Sequence, residues 1–254
     1  DADFSRIQFT PDLMPSDVLG TTVFNMKTNG FDFHQGPIFA DIVLVDEINR
    51  APAKTQAALF EVMEERQVSI DGTTHRMGEL YTILATQNPV EQEGTYKLPE
   101  AQLDRFLMKI TMDYPSLEEE VNILERHHTN AALVKLEDVT PVLTKEELLS
   151  LRALMSRVFV DRTLLQYIAL IVQQTRTSKA VYLGASPRAS VAMLQSSKAY
   201  ALLQGRDFVT PEDIKFVAPY VLQHRLILTA EAEMEGYSPV KVTQRLIDKV
   251  EVPK

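Results

Sequence analysis

At 254 residues, with 45% hydrophobic and 24% charged residues, the sequence has the composition of a globular protein that can form one large domain or two smaller ones. The absence of cysteine excludes disulfides, thiolate metal sites and cysteine nucleophiles. No apolar run is long enough to span a membrane. From these two features we expect a cytoplasmic protein. The 26 Lys and Arg against 35 Asp and Glu give a net charge of −9, which disfavours a protein that mainly grips nucleic-acid phosphates.

In chain order, the first half of the sequence alternates strand and helix signals. Turn pairs at Asn29-Gly30 and Asp71-Gly72 are each flanked by β-forming residues, so each predicts a hairpin. Apolar runs predict three buried strands, at residues 42–45, 81–86 and 106–110. A helix is predicted to begin near residues 49–52. This alternation indicates an α/β fold with a parallel sheet.

The rest of the sequence is helical. N-terminal caps predict five helices, and the cap residues are Ser116, Thr144, Asp161, Ser186 and Thr210. The helix after Asp161 should bury one face, formed by Leu164, Leu165, Ile168, Ile171 and Val172. Because the periodicity lapses around residues 129–139, we expect two domains, an α/β core over residues 1–129 and a helical domain over residues 130–254.

Two acidic residues, Asp46 and Glu47, end the apolar β-branched run at residues 42–45. In open parallel sheets, ligands bind at the carboxyl ends of the strands. In nucleotide hydrolases an aspartate at this position holds Mg²⁺, and a following glutamate can polarise the attacking water. The pattern alone fits equally well a strand that runs into an acidic turn.

Three further side chains could complete such a site. Asn88 follows a second predicted strand, so it should emerge at the same sheet edge and could orient water, although an ordinary turn amide is an alternative. Arg105 stands just before the predicted strand at 106–110 and could offset phosphoryl charge, or it could form a surface ion pair. Arg188 lies in the first turn of a predicted helix, where backbone amides favour anions.

Together and in this order, these clusters resemble the AAA+ ATPases, and within them the MoxR family. The resemblance rests on five strings, at residues 9–17, 43–52, 85–94, 98–106 and 184–188. It implies an AAA+ core with a parallel sheet and β-hairpin inserts, followed by an all-α lid domain. Magnesium-chelatase AAA+ subunits look similar in both hairpins, which by analogy would face the pore of a ring and work on a partner.

The resemblance also implies the roles of the site residues, with ATP and Mg²⁺ as cofactors. Asp46 would hold Mg²⁺, Glu47 would polarise water and Asn88 would position it. Arg105 would be an arginine finger acting on the adjacent subunit, and Arg188 would contact phosphate from the lid. The family resemblance implies a homo-oligomeric, hexameric ring that acts with a von Willebrand factor A-domain partner in remodelling proteins or inserting cofactors or metals into them.

One family feature is missing, because no G-x-x-x-x-G-K-[ST] occurs in the 254 residues. We expect this phosphate loop to lie upstream of Asp1 in the complete protein. Two other functions stay open. A DNA-dependent AAA+ motor would use the same inserts, but Arg76 and His75 make a weakly basic second hairpin. A non-catalytic assembly module would need no phosphate loop.

Overall fold

The computed structural model describes residues 2–88, 96, 98–129 and 139–252. Residues 91–94, which contribute to one of the family strings, lie outside the described residues, and so does Pro89. The predicted domain boundary after residue 129 also borders a stretch outside this description.

The chain forms alternating strands and helices first and mostly helices afterwards. The first half comprises β1 (Phe4–Gln8), α1 (Pro15–Leu19), β2 (Gly20–Asn25), β3 (Gly30–Gln35), β4 (Ile42–Asp46), α2 (Ala53–Glu65), β5 (Gln67–Ile70), β6 (Thr73–Arg76), β7 (Thr82–Ala85), α3 (Glu100–Leu103) and α4 (Leu117–His128). The second half comprises α5 (Lys145–Leu154), α6 (Arg162–Thr177), β8 (Val181–Leu183), α7 (Pro187–Leu203), α8 (Pro211–Leu222), β9 (Ile227–Leu228), α9 (Ala230–Met234) and α10 (Pro239–Lys249). Single 3₁₀ turns cover Ile48–Arg50 and Met155–Arg157.

The central sheet is parallel, with the order β1-β4-β7. Its register places Gln8 beside Asp46 and Val45 beside Ala85, so the carboxyl ends of all three strands meet at one edge. Strand β1 was not predicted from the sequence, because only Ile7 in this strand is buried and its apolar pattern is weak. The predicted parallel sheet is confirmed.

The strand predicted at residues 106–110 is wrong. This segment has no strand conformation and lies against the end of α8, where the Lys109 amide donates to the Tyr220 carbonyl at 2.9 Å. Phe106 packs edge-on against Phe60, whereas Ile110 is 72% exposed. An apolar run becomes a strand only beside a ladder partner, and no described strand adjoins this segment.

Both predicted hairpins are confirmed, as the antiparallel pairs β2–β3 and β5–β6. Asp71 and Gly72 both have positive φ, at 49° and 79°, which is the conformation that a two-residue turn of this hand requires. The ring of His75 lies 4.3 Å from that of Phe33, centroid to centroid, so the two hairpins contact each other. His75 is therefore engaged within the protein.

Two hydrophobic cores are formed, one around β4 and α2 and one among α6, α7, α8 and α10. The buried face of α6 follows the spacing i, i+3, i+4, and its residues are Leu164, Tyr167, Ile168, Ile171, Val172 and Thr175. Leu165 was predicted in this face but is 42% exposed, because it lies one residue, about 100°, beside the stripe. Among the described helices, none is long and apolar enough to cross a membrane.

Candidate functional site

The carboxylate of Asp46 is held at the carboxyl edge of the sheet by the strands on both sides. Arg6 of β1 contributes Nε, which lies 2.6 Å from Asp46 Oδ2. The hydroxyl of Thr86, just after β7, donates to Asp46 Oδ1 at 3.2 Å. Asp46 therefore has a defined orientation that depends on the parallel register of three strands.

Glu47 turns the chain out of the strand, and its carboxylate stays at the same edge. Its φ of 53° is left-handed, a conformation that costs a non-glycine residue about 1–3 kcal/mol and is often found at functional sites. Its amide donates to Thr86 Oγ1 at 2.9 Å, while its Oε2 accepts from Gln8 Nε2 at 3.0 Å and from Arg50 Nη1 at 3.2 Å. The carboxylate is thus fixed next to that of Asp46.

Asn88 lies beside the turn that follows Glu47. Its backbone carbonyl accepts from Nδ2 of the buried Asn49 at 3.2 Å, and the Ile48 amide donates to the Thr86 carbonyl at 3.0 Å. The segment after β7 is therefore joined to the segment after β4. The structure brings Asp46, Glu47 and Asn88 to the same edge of the sheet.

The oxygen donors at this edge suit Mg²⁺ bound together with a nucleotide. No group of three or more Asp, Glu, His or Cys side chains that could hold a metal ion occurs in the described part of the chain. Mg²⁺ in nucleotide sites needs only one or two carboxylates, because phosphate and water supply the other ligands. Asp46 fits this requirement, provided that Arg6 yields its place on Oδ2.

Arg105 and Arg188 meet at a second place. Both form ion pairs with Glu64, near the end of α2, Arg105 through Nη1 and Arg188 through Nη2. They line a cleft of about 470 Å³, together with Met63, Leu107 and Gln195. Arg105 thus forms an ion pair, and its partner lies 41 positions earlier in the chain.

Asp104, next to Arg105, is bound by the helical part of the chain. Its Oδ1 accepts from Arg225 Nε and its Oδ2 from Ser186 Oγ, each at 2.8 Å. Ser186 also caps α7 by accepting from the Arg188 amide at 3.1 Å. Burial lowers the pKa of Arg225, and the ion pair with Asp104 opposes that shift. These contacts hold the first turn of α7 beside the turn that contains Arg105.

The acidic group and the arginine group share none of the side-chain partners named above. The partner residues Arg6, Gln8, Glu64 and Arg225 were not predicted from the sequence, and Ser186 was predicted only as a helix cap. No local motif marks these contacts, because the residues lie up to 124 positions from the side chains that they contact.

Comparison with protein families gives two matches. The family model described as "ATPase family associated with various cellular activities (AAA)" matches residues 1–108. A model described as "AAA lid domain" matches residues 173–248. The two matches fall on the part that contains the acidic strand end and on the helical part that contains Arg188.

Similar proteins cover nearly the whole chain. "Uncharacterized protein YeaC" of Bacillus subtilis is 48% identical over 252 residues, which are 99% of this chain and 78% of that protein. "Chaperone MoxR1" of Mycobacterium tuberculosis is 44% identical over 260 residues, covering 99% of this chain and 68% of that protein. The crystal structure of a protein from Cytophaga hutchinsonii, described as a candidate ATPase, has a TM-score of 0.89 at 42% identity and covers 100% of this chain and 79% of its own. The chain therefore belongs to the MoxR family of AAA+ ATPases.

Proposed function

We propose that the protein hydrolyses ATP at the carboxyl edge of the β1-β4-β7 sheet. Asp46 would hold Mg²⁺, which supplies charge neutralisation on the phosphates. Glu47 accepts a proton from the attacking water, and Asn88 helps to position that water. The observation that carries the proposal is the pair of oriented carboxylates, each fixed by side chains from neighbouring strands and turns.

We further propose that Arg105 and Arg188 act on phosphate, Arg105 from an adjacent subunit of a hexameric ring. The contacts within one chain are compatible with this division, because none of the contacts named for the arginines involves the acidic pair. Guanidinium groups are suited to this role, since they are permanently charged and can donate two parallel hydrogen bonds to phosphate.

The proposed function of the ring is chaperone-like remodelling of partner proteins, or insertion of a cofactor or metal into them. The ring would act together with a von Willebrand factor A-domain protein. The relative named "Chaperone MoxR1" supports the chaperone part. The two hairpins in contact with each other would be the surface that works on the partner. The absence of cysteine supports a cytoplasmic setting as part of the same proposal.

The test of this function is the Glu47→Gln variant of the full-length protein. The amide keeps the shape of Glu47 and its hydrogen bond from Gln8 but loses basicity. We expect ATP binding close to wild type and a turnover lower by about 10²–10⁴-fold. Calorimetry measures the binding and steady-state phosphate release measures the turnover. Turnover within about twofold of wild type would remove Glu47 from the mechanism.

A further inference from the structure

Side chains of the helical domain bind the backbone and the Asp104 carboxylate of the turn that contains Arg105. One carboxylate oxygen of Asp104 accepts from Arg225 and the other accepts from Ser186. Both partners lie 82 or more positions away in the sequence. His224 Nε2 donates to the Phe106 carbonyl at 3.0 Å. Every one of these partners follows α6 in the chain, although Arg105 itself belongs to the segment that follows α3.

Arg225 is at the centre of a joint in which residues 223–225 bind residues 104–109. Its side chain is 3% exposed, and its guanidinium donates to carbonyl groups on both sides of Arg105. The acceptors are the carbonyls of Asp104 at 3.0 Å, Phe106 at 2.6 Å and Leu107 at 3.2 Å, and it also contacts the Val221 carbonyl of α8. A planar fork that binds three carbonyls of one turn fixes the path of that turn.

From these contacts we infer that Arg225 and Asp104 are positioning residues, which join the turn that contains Arg105 and the first turn of α7, with Arg188, into one rigid unit. The same Asp104 carboxylate accepts from Ser186, the cap of the helix whose first turn contains Arg188. Both arginines then converge on Glu64. Any motion of the helical domain therefore moves Arg105 as well as Arg188. This inference rests on the proposed role of Arg105 in hydrolysis.

The chain offers a matched control, the pair Arg206–Asp213. Asp213 is buried like Arg225 and accepts from Arg206 Nη1 at 2.8 Å and Nη2 at 2.5 Å. This pair lies within the helical domain and contacts none of residues 104–107. Arg206→Lys and Arg225→Lys both keep the positive charge and lose the planar guanidinium. Arg206→Lys therefore reports the effect of weakening an arginine–aspartate pair in the helical domain that does not bind residues 104–107.

The experiment compares Arg225→Lys, Asp104→Asn and Arg206→Lys in the full-length protein. For Arg225→Lys we expect kcat to fall about 10²-fold with little change in KM for ATP, because a displaced arginine finger affects the reaction more than ground-state binding. Asp104→Asn keeps the shape and should show a smaller loss of the same kind. Arg206→Lys should lower thermal stability but keep kcat within about twofold of wild type.

A second readout is hydrogen exchange of the amides of residues 105–109, which needs no ATPase activity. It should accelerate in Arg225→Lys and stay unchanged in Arg206→Lys. A normal kcat and normal exchange in Arg225→Lys, with Arg105→Ala inactive, would overturn this inference and leave the proposed function standing. If Arg105→Ala keeps wild-type turnover, the proposed role of Arg105 and this inference both fail. Equal kcat losses in Arg225→Lys and Arg206→Lys would assign Arg225 a purely structural role.

Discussion

At the scale of single residues, the arginine cleft is a site of unbalanced charge. Two guanidinium groups, of Arg105 and Arg188, share the single carboxylate of Glu64, while Arg225 and Asp104 neutralise each other. The Nε of Arg105 is buried and has no hydrogen-bond partner among the described residues. An excess positive charge with spare donors is ready to accept an anion, and a phosphate oxygen has the required chemistry.

Arg105→Ala is predicted to abolish most hydrolysis. Loss of an arginine finger typically lowers turnover by a factor of about 10³–10⁵, whereas loss of a surface ion pair leaves it intact. ATP affinity should be preserved, because the residue acts on the charge that develops during phosphoryl transfer. Phosphate release and calorimetric ATP binding, measured on the same preparation, separate these effects.

Mixing experiments decide whether Arg105 acts between subunits. In rings that contain both Arg105→Ala and Glu47→Gln subunits, some interfaces pair an intact finger with an intact glutamate. We therefore expect the mixture to recover part of the activity that each variant lacks alone. Absence of recovery in rings of normal assembly would place Arg105 in its own subunit's site or make it structural.

At the scale of elements, the end of α8 joins the two halves of the chain. The segment after this helix contains Gln223, His224 and Arg225, and all three bind the backbone of residues 104–109. In this joint, His224 Nε2 donates to the Phe106 carbonyl. The other ring nitrogen, Nδ1, is buried and has no hydrogen-bond partner among the described residues. A second proton would place an unsatisfied donor in the interior, so the ring stays neutral.

His224 is predicted to make stability pH-dependent. Burial, with the nearby charges of Arg225 and Lys109, lowers its pKa from 6.5 to about 4, although the bond to the Phe106 carbonyl and the charge of Asp104 oppose the shift. Between these two values the unfolded chain binds the proton and the folded chain does not, so the free energy of unfolding falls as pH decreases below about 6.5. From pH about 7.5 to about 5 the loss should be about 2 kcal/mol.

Urea unfolding of wild type and His224→Gln at both pH values tests this effect. Glutamine keeps a donor for the Phe106 carbonyl and cannot titrate, so the variant should lose less stability on acidification. Asp41 and Asp213 also have lowered pKa values, from their bonds to Lys145 and Arg206, but they titrate below this range and do not disturb the comparison. Equal losses in wild type and variant would assign the pH dependence to other groups.

At the scale of the whole molecule, the described side chains of the helical half contact the α/β half in two regions. One region contains the joint at residues 223–225, with the bonds of Ser186 to Asp104 and of Arg188 to Glu64. The other lies at the opposite end of β4, where Lys145 pairs with the buried Asp41 at 2.8 Å and Arg152 donates to the Glu79 carbonyl at 2.7 Å. Each region uses charge-assisted bonds, which are stronger than hydrogen bonds between neutral groups. These bonds hold the helical half to the α/β half in both regions.

Residues 1–254 by themselves are predicted to bind ATP weakly. The G-x-x-x-x-G-K-[ST] sequence that supplies a cradle of amides and a lysine is not among them, so only metal-mediated and arginine contacts remain. Calorimetry with Mg²⁺-ATP should show a dissociation constant at least about 10²-fold weaker than that of the full-length protein. Tight, Mg²⁺-dependent binding to residues 1–254 would contradict this expectation.

DNA is predicted not to stimulate the ATPase activity of the full-length protein. The net charge is −9, and His75 of the second hairpin is engaged by Phe33, which leaves Arg76 as its main basic side chain. Steady-state hydrolysis with and without duplex and single-stranded DNA, at low salt, provides the measurement. Several-fold stimulation that disappears as salt is raised would instead favour the DNA-dependent motor.

The sequence by itself determined the features that depend on neighbouring residues. The acidic end of β4, both hairpin turns and the helix caps at Ser116, Thr144 and Ser186 all follow from short local patterns, and each is present in the structure. Backbone propensity and side-chain capping act within about four residues, so such patterns can be read without knowing the fold. The family strings likewise identified the MoxR family, which the comparisons confirm.

Tertiary structure alone decided which distant groups meet. Arg6 reaches Asp46 across 40 positions through the parallel register of β1 and β4, and Arg188 reaches Glu64 across 124 positions. The segment at residues 106–110 shows the same dependence, because its apolar composition suits a strand but its backbone binds α8 instead. Hydrogen bonds and ion pairs between distant residues depend on the packing of whole elements, and no local pattern encodes which partner that packing will supply.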